Sequence, residues 1–349
     1  VNRKLAFVLL ALALVVTALL IWRANSGSVE TETSIAVREE TAALPATLPP
    51  SPTPARPYKI GVLFPFMASP FWVNEAYGVL DQADKLGLEV IWLSADGYDN
   101  VDRQNSQLED LASQDVDAIL IAATSSTGVV PVVDRISANG TPVFAHVTSA
   151  ATKGISSSVV NDDLEIGRQQ ARFMGKALGG KGSVAMLNGP AAADWASLRV
   201  KGFKEVLAAE FPGIKIVAER NGIPDRADAQ RLTEDLLSAN RQLDGLFTVA
   251  DGMAMGAVDA MRNASRTEIV LTTASFSQES LPYMRDGLID LNVDENPVLM
   301  GRAAVDNLVR ALNGEPVART VFVPSPAYTG ENSVSVNPSL QWAPKGWQP

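Results

Sequence analysis

At 349 residues, 46% of them hydrophobic, the chain is long enough for two ordinary domains with cores of their own. Its 29 basic and 39 acidic residues leave a net charge of −10, which argues against a nucleic-acid partner, since a phosphate backbone calls for a basic face. With no cysteine and one histidine, His146, thiol nucleophiles, disulfides and multi-histidine or thiolate metal sites are excluded, and neither metal nor cofactor is expected.

Arg3 and Lys4 precede an uninterrupted apolar run over residues 5–22, which holds one Thr and no charge. As a helix it measures about 27 Å, close to a hydrocarbon thickness of ~30 Å. A removable secretory signal usually has a shorter core with small residues before its cleavage site. Here the run ends in Ile21-Trp22-Arg23, and Ala24-Asn25-Ser26 makes a poor site. Residues 1–25 therefore read as an uncleaved signal anchor, a transmembrane helix; the alternative is a cleaved signal and a soluble product. Either way the basic residues stay inside and the rest of the chain lies outside the cytoplasm. Residues 26–57 carry Pro45, Pro49, Pro50, Pro52, Pro54 and Pro57 among Thr, Ala, Ser and Glu, and read as a disordered Pro-rich linker.

From Tyr58 onward, aliphatic and β-branched runs at 59–63, 88–93, 117–122 and 141–147 alternate with amphipathic stretches; Gln104, Leu108 and Leu111 mark one helical face. Near-continuous apolar strands separated by helices predict a parallel sheet covered on both sides. The pattern restarts at 182–187 and runs through 214–218, 245–249 and 268–271, which predicts a second lobe of the same α/β kind. Three joins connect the halves. After a strand at 156–160, Asn161-Asp162-Asp163 caps a helix striped by Leu164, Gly167, Ala171, Met174 and Leu178. After 291–293, Asn296-Pro297 opens a helix, Pro suiting a first helical position. The third join falls within 321–328. A chain that passes repeatedly between two lobes makes a hinged cleft.

The strand at 59–63 followed by Pro70-Phe71-Trp72, together with Gly202-Phe203, Asp244-Gly245-Leu246-Phe247 and Asp251-Gly252-Met253-Ala254-Met255-Gly256-Ala257, resembles the type I periplasmic binding proteins, a family that includes ribose-binding protein. The likeness covers roughly residues 58–335. A narrower likeness, to the TorT-like subgroup of sensor partners, rests on Phe71-Trp72-Val73-Asn74, Tyr77-Gly78, Gly97-Tyr98, Asn100, Arg103-Gln104 and Gln107-Leu108. The resemblance implies two Rossmann-like lobes with parallel sheets, joined by three crossover segments around a clamped ligand. Lobe one is expected at 58–161 plus 295–320, lobe two at 162–294 plus 321–337, and a tail at 338–349. It further implies a periplasmic location, tethered to the inner membrane if the anchor is kept. The partner is then an ABC-type permease or, in the TorT-like alternative, a sensor histidine kinase.

Ligands of open parallel sheets sit beyond the carboxyl ends of the strands. After the first strand come Phe66, Phe71 and Trp72, whose ring faces suit a sugar's C–H face or a cationic methylated amine; alternatively they pack onto their own lobe. Tyr98 supplies a ring or hydroxyl, or sits in an Asp96-Gly97-Tyr98 turn. His146 and Thr148 end the fourth strand, the histidine as a cleft group or a structural one. Trp195 lies on the loop after Gly189-Pro190 where the family places polar contacts. Arg199 follows it, toward ligand or toward an acidic neighbour. Asp251 opens a helix as contact or N-cap. Glu295, beside Asp294, offers an acceptor or counter-charge at the second crossover. The family's sugar binders carry Asp-Arg where this chain has Val147-Thr148, Asn where it has Ala250, and often Asp within what is here Thr272-Thr273-Ala274-Ser275. A buried unmatched hydroxyl costs ~1–3 kcal/mol, so a smaller, less hydroxylated or cationic ligand suits the remaining aromatics and acids better than an ordinary pentose or hexose.

Catalysis is not expected. The first strand is followed by Phe-Pro-Phe-Met-Ala-Ser-Pro, without the glycines that admit a pyrophosphate. Gly179-Gly180-Lys181-Gly182-Ser183 precedes a strand instead of following one, which makes it a helix C-cap and turn. Asp96, Asp99 and Asp102 lack calcium-loop spacing.

Overall fold

The computed structural model describes residues 35–45, 49–190 and 193–349. The expected anchor at 1–25 lies outside them, and among the described residues no helix is long and apolar enough to cross a membrane.

The first lobe begins with β1 (Val37–Ala43), β2 (Lys59–Phe64), α1 (Pro70–Lys85), β3 (Glu89–Ser94), α2 (Val101–Ala112), β4 (Ala118–Ile121), α3 (Val130–Ala138), β5 (Val143–His146) and β6 (Ile155–Asn161). The second holds α4 (Asp163–Ala177), β7 (Lys181–Leu187), α5 (Asp194–Glu210), β8 (Gly213–Arg220), α6 (Arg226–Ala239), β9 (Gly245–Thr248), α7 (Asp251–Asn263), β10 (Val270–Ala274), α8 (Leu281–Arg285) and β11 (Leu291–Val293). The chain then returns with α9 (Pro297–Leu312) and β12 (Val317–Val323), and ends with β13 (Ala327–Tyr328) and α10 (Pro338–Gln341). The first sheet has seven strands, ordered β1-β12-β6-β5-β4-β2-β3 and all parallel. The second has six, ordered β13-β11-β10-β9-β7-β8, antiparallel only where β13 meets β11. β4 is buried at every position, as expected of a strand covered on both faces.

Local chemistry sets the helix starts. The Ser69 side chain accepts from the Trp72 N–H at 3.4 Å and Pro70 takes the first position of α1. The Asp162 carboxylate accepts from the Glu165 N–H at 3.0 Å to start α4, which leaves Asp163 free for another role. In each lobe two helices cross at glycine. Gly78 of α1 meets the Val298 backbone of α9, and Gly167 of α4 meets the Arg199 carbonyl of α5, closer than any Cβ would allow. The second crossing fixes where Arg199 stands.

The chain passes between the sheets at 161–163, 294–296 and 324–326, and the three strands of backbone are stitched together. Asn161 Nδ2 donates to the Glu295 carbonyl at 3.2 Å and to Ser325 Oγ at 3.1 Å; Asn296 Nδ2 donates to the Pro324 carbonyl at 2.8 Å. Asn296 itself adopts φ 50°, a left-handed conformation that asparagine tolerates.

Three expectations change. The 26–57 linker is in part structured: β1 adds parallel to β12 at the edge of the first sheet, and Arg319 Nη2 bonds Glu39 Oε1 at 2.6 Å. Thr53 and Ala55 are held by the Asn313 side chain at 2.9 Å each. An edge strand pairs through backbone groups while its side chains stay mostly exposed, so β1 carries no apolar pattern to read. β12 continues to Val323, so 321–323 belongs to the first sheet. The tail also docks. Gln341 is 1% exposed and donates to Asn296 Oδ1 at 2.6 Å, the Ala343 N–H donates to Asn74 Oδ1 at 2.9 Å, and Trp347 packs edge-on against Tyr77 at 5.3 Å.

Candidate functional site

Beyond the carboxyl ends of both sheets lies a cavity of about 500 Å³, walled by both lobes and floored by the crossovers. The first-lobe wall is aromatic. Phe66 and Tyr98 meet edge-to-face at 5.2 Å, as do Phe71 and Trp72. Trp72 is 2% exposed and its indole N–H donates to Tyr98 Oη at 3.2 Å. It is the backing of the wall, whereas the partly exposed rings of Phe66 and Phe71 form its surface. The 94–98 turn that carries Tyr98 is pinned from α2: Asn100 Nδ2 donates to the Ala95 carbonyl at 2.9 Å and Gln107 Nε2 to the Ser94 carbonyl at 2.8 Å. Burial pushes the Tyr98 phenol above its ordinary pKa, so it stays protonated.

The second-lobe wall holds Trp195, Arg199 and Asp251. Arg199 is 1% exposed. Its Nε donates to Asp163 Oδ1 at 2.8 Å, its Nη1 to the Val249 carbonyl at 3.0 Å and Ser275 Oγ at 3.3 Å, and its Nη2 to Glu295, while Nη2 also pairs with Asp163 Oδ1 at 2.8 Å. Burial alone would lower the Arg199 pKa, but Glu295 and Asp163 reverse this and raise it. Burial outweighs Arg199 at Asp163, lifting that carboxyl to about 6 with help from Glu295. Asp251 is no N-cap. Ala250 takes that position, and the Asp251 carboxylate accepts from the Ser277 N–H at 3.0 Å. Enclosure lifts Asp251 to about 7, against the hydrogen bonds from Ser277. Asp294 is fully buried, and burial holds its carboxyl well above the usual range.

Nine of the ten residues singled out from sequence line this cavity; His146 does not. Its ring is fully buried inside the first lobe, with Nδ1 2.6 Å from Glu75 Oε1 and Phe64 edge-on at 5.5 Å. The chain turns away at Val147, which lines the cavity at φ 57°, a conformation strained for a β-branched residue. Thr148 lines it too, with its hydroxyl donating to the Ala123 carbonyl at 2.7 Å. Asp163, Ser275 and Asn74 also line the cavity and were not anticipated. Asp163 looked like a cap, and Ser275 stood out only as part of the stretch where the family's sugar binders often carry Asp; its φ of 71° is visible in the fold alone. Strained backbone at Val147 and Ser275 coincides with the cleft, as is common at binding sites.

The periplasmic binding protein domain matches residues 60–316. The chain belongs to the periplasmic binding protein family. The two-lobed architecture and the relatives place it with the type I members, as the motifs implied. It is 28% identical to the ribose import binding protein of Bacillus subtilis over 76% of this chain and 86% of that one. The periplasmic protein TorT of Escherichia coli K12 is 25% identical over 84% of each chain. A solute-binding protein of Burkholderia graminis, solved with D-arabinose, superposes with a TM-score of 0.75 at 27% identity, covering 81% of this chain and 98% of that one. Membership makes this periplasmic binding protein a solute binder working from the periplasm.

Proposed function

We propose that the protein closes its two lobes on a small, hydroxyl-bearing solute of sugar size and presents it to an ABC-type permease. The observation that carries this reading is the cavity between two parallel sheets, whose walls come from both lobes and whose floor is the stitched crossover. Closure then registers occupancy, because a ligand bridging both walls stabilises the closed state over the open one. The ribose and arabinose binders among its relatives support the solute class. Phe66, Phe71, Tyr98 and Trp195 are assigned to hold apolar ring faces, with Asp251 and Glu295 accepting hydrogen bonds. No covalent step is assigned; turnover lost on a single cleft substitution would overturn that. A thermal-shift panel of pentoses, hexoses, polyols and amines, followed by calorimetry and small-angle scattering, tests the reading: a ligand that both raises the melting temperature and compacts the protein supports it.

A second reading, a TorT-like sensor whose closed form is read by a histidine kinase, is favoured by the loss of the sugar-clasping Asp-Arg pair at Val147-Thr148. Ligand-dependent stimulation of a permease's ATPase separates transport from this alternative. For the membrane, we propose that residues 1–25 remain as an anchor. Retention in the pellet after carbonate washing supports it, and a soluble product beginning near Ser26 refutes it.

A further inference from the structure

The polar groups of the cleft are unevenly matched. Arginine has five N–H donors, and Arg199 commits four of them in hydrogen bonds to Asp163, Glu295, the Val249 carbonyl and Ser275, while its Nη2 also lies in ion-pair contact with Asp163 at 2.8 Å. The Asn161 amide is likewise spent on the crossovers. The cavity's other arginine, Arg226, is exposed at the rim and forks onto Asp259 at 2.6 and 2.9 Å. Acceptors remain. Glu295 is 6% exposed, and among the described residues its Oε2 has no hydrogen-bond partner. Asp251 enters no ion pair among the described residues. One guanidinium thus faces three carboxylates, and a buried carboxylate without a counter-charge is costly.

We infer that the solute carries a protonated amine beside its hydroxyls, seated between Glu295 and Asp251 with the Phe66 and Phe71 rings alongside. An ammonium supplies both the missing positive charge and the missing donors, and aromatic faces attract it further. Trp195 Nε1, buried and unpartnered among the described residues, is left to donate to a hydroxyl. This rests on the solute-binding reading and names the ligand class within it.

The cavity's protonation follows the same logic. Asp251 shares the cavity with Glu295, whose charge helps to hold its carboxyl up, with Arg199 and Asp163, and with the neutral Tyr98 phenol; Asp225, Arg226 and Glu279 also line it and are exposed. With Asp251 titrating near 7, the ionised fraction and hence the affinity for a cation rise about fivefold from pH 6 to pH 7. Binding at pH 7 then releases about half a proton.

The test is calorimetry on matched pairs: D-arabinitol against 1-amino-1-deoxy-D-arabinitol, and D-glucose against D-glucosamine, at pH 6 and 7 in two buffers of different ionisation heat. The amines are expected to bind at least tenfold tighter than their neutral partners and to release protons. Asp251→Asn, which breaks no ion pair, should erase the release and most of the preference without lowering the melting temperature; Glu295→Gln should also lose most of the preference, but it removes a partner from the buried Arg199 pair and is expected to be less stable, so if it loses fold Asp251→Asn decides alone. Equal or tighter binding of the neutral partners overturns the inference and leaves the solute-binding reading standing. Silence from both series, in heat and in thermal shift, overturns the solute-binding reading itself.

Discussion

Replacing Arg199 by Met keeps most of the side chain's apolar stem and removes the charge that two carboxylates share. Asp163 and Glu295 have side chains 12% and 7% exposed, so neither can recover its hydration without opening the crossover. Removing one partner from a buried ion pair typically costs ~3–5 kcal/mol, because the partner's charge stays behind uncompensated. The variant is therefore expected to lose about that much unfolding free energy at pH 7.5. The loss must depend on pH. A carboxyl whose folded pKa exceeds its unfolded value of ~4 destabilises the fold increasingly as pH rises through that window, by up to ~1.36 kcal/mol per unit. With arginine present Asp163 already reaches about 6; without it the window extends further up. The deficit at pH 5 should thus be clearly smaller than at pH 7.5. Urea denaturation followed by tryptophan fluorescence and circular dichroism measures both. A deficit under ~1 kcal/mol at pH 7.5, or one equal at the two pH values, refutes the argument. Arg103→Met is the control: its pair with Asp96 at 2.7 Å is about half exposed on both sides, so the midpoint should not move.

Gly167→Ala drives a methyl into the Arg199 carbonyl and should cost ~1–3 kcal/mol by overpacking, read as a lower urea midpoint; an unchanged midpoint would mean the α4–α5 crossing is looser than described. Phe71→Ala should weaken ligand binding about tenfold with little loss of stability, whereas Trp72→Ala should lower stability by ~3–5 kcal/mol, since that ring is buried backing; calorimetry and denaturation together would expose the reverse order. His146→Leu should destabilise by ~1–3 kcal/mol because it leaves the buried Glu75 carboxyl without its hydrogen-bond partner, and adding Glu75→Leu should restore part of that, a double-mutant cycle whose additivity would disprove the pairing. Truncation after Val336 removes the Gln341–Asn296 bond and the Trp347–Tyr77 contact; lower thermal stability is expected, and an unchanged melting curve would show that the tail does not brace the crossover.

The alternation of strands and helices, the restart at 182–187 and the capping residues at the joins were legible because fully buried parallel strands and amphipathic helices leave strong, local periodicities. Phe66, Phe71, Tyr98, Trp195 and Glu295 were legible as cleft groups because they follow strand ends, and in this topology the strand ends define the crevice. His146 obeyed the same rule and still faced inward: one residue from the strand end, pleat alternation and the left-handed turn at Val147 decide between cavity and core, and neither is written in composition. β1 escaped because an edge strand needs only backbone groups and a partner 280 residues away, as Glu39 and Arg319 show.

What the chain's own order of residues determined is therefore its class: two α/β lobes, three passages between them and an aromatic side to the cleft, all set by short-range patterns. What only the tertiary structure decided is how its charges pair. Asp163, Arg199, Asp251 and Glu295 come from four separate segments, and whether the arginine serves a ligand or neutralises two carboxylates depends on distances fixed by the α4–α5 crossing and the hinge. Electrostatic roles belong to neighbours in space, and sequence proximity does not report them.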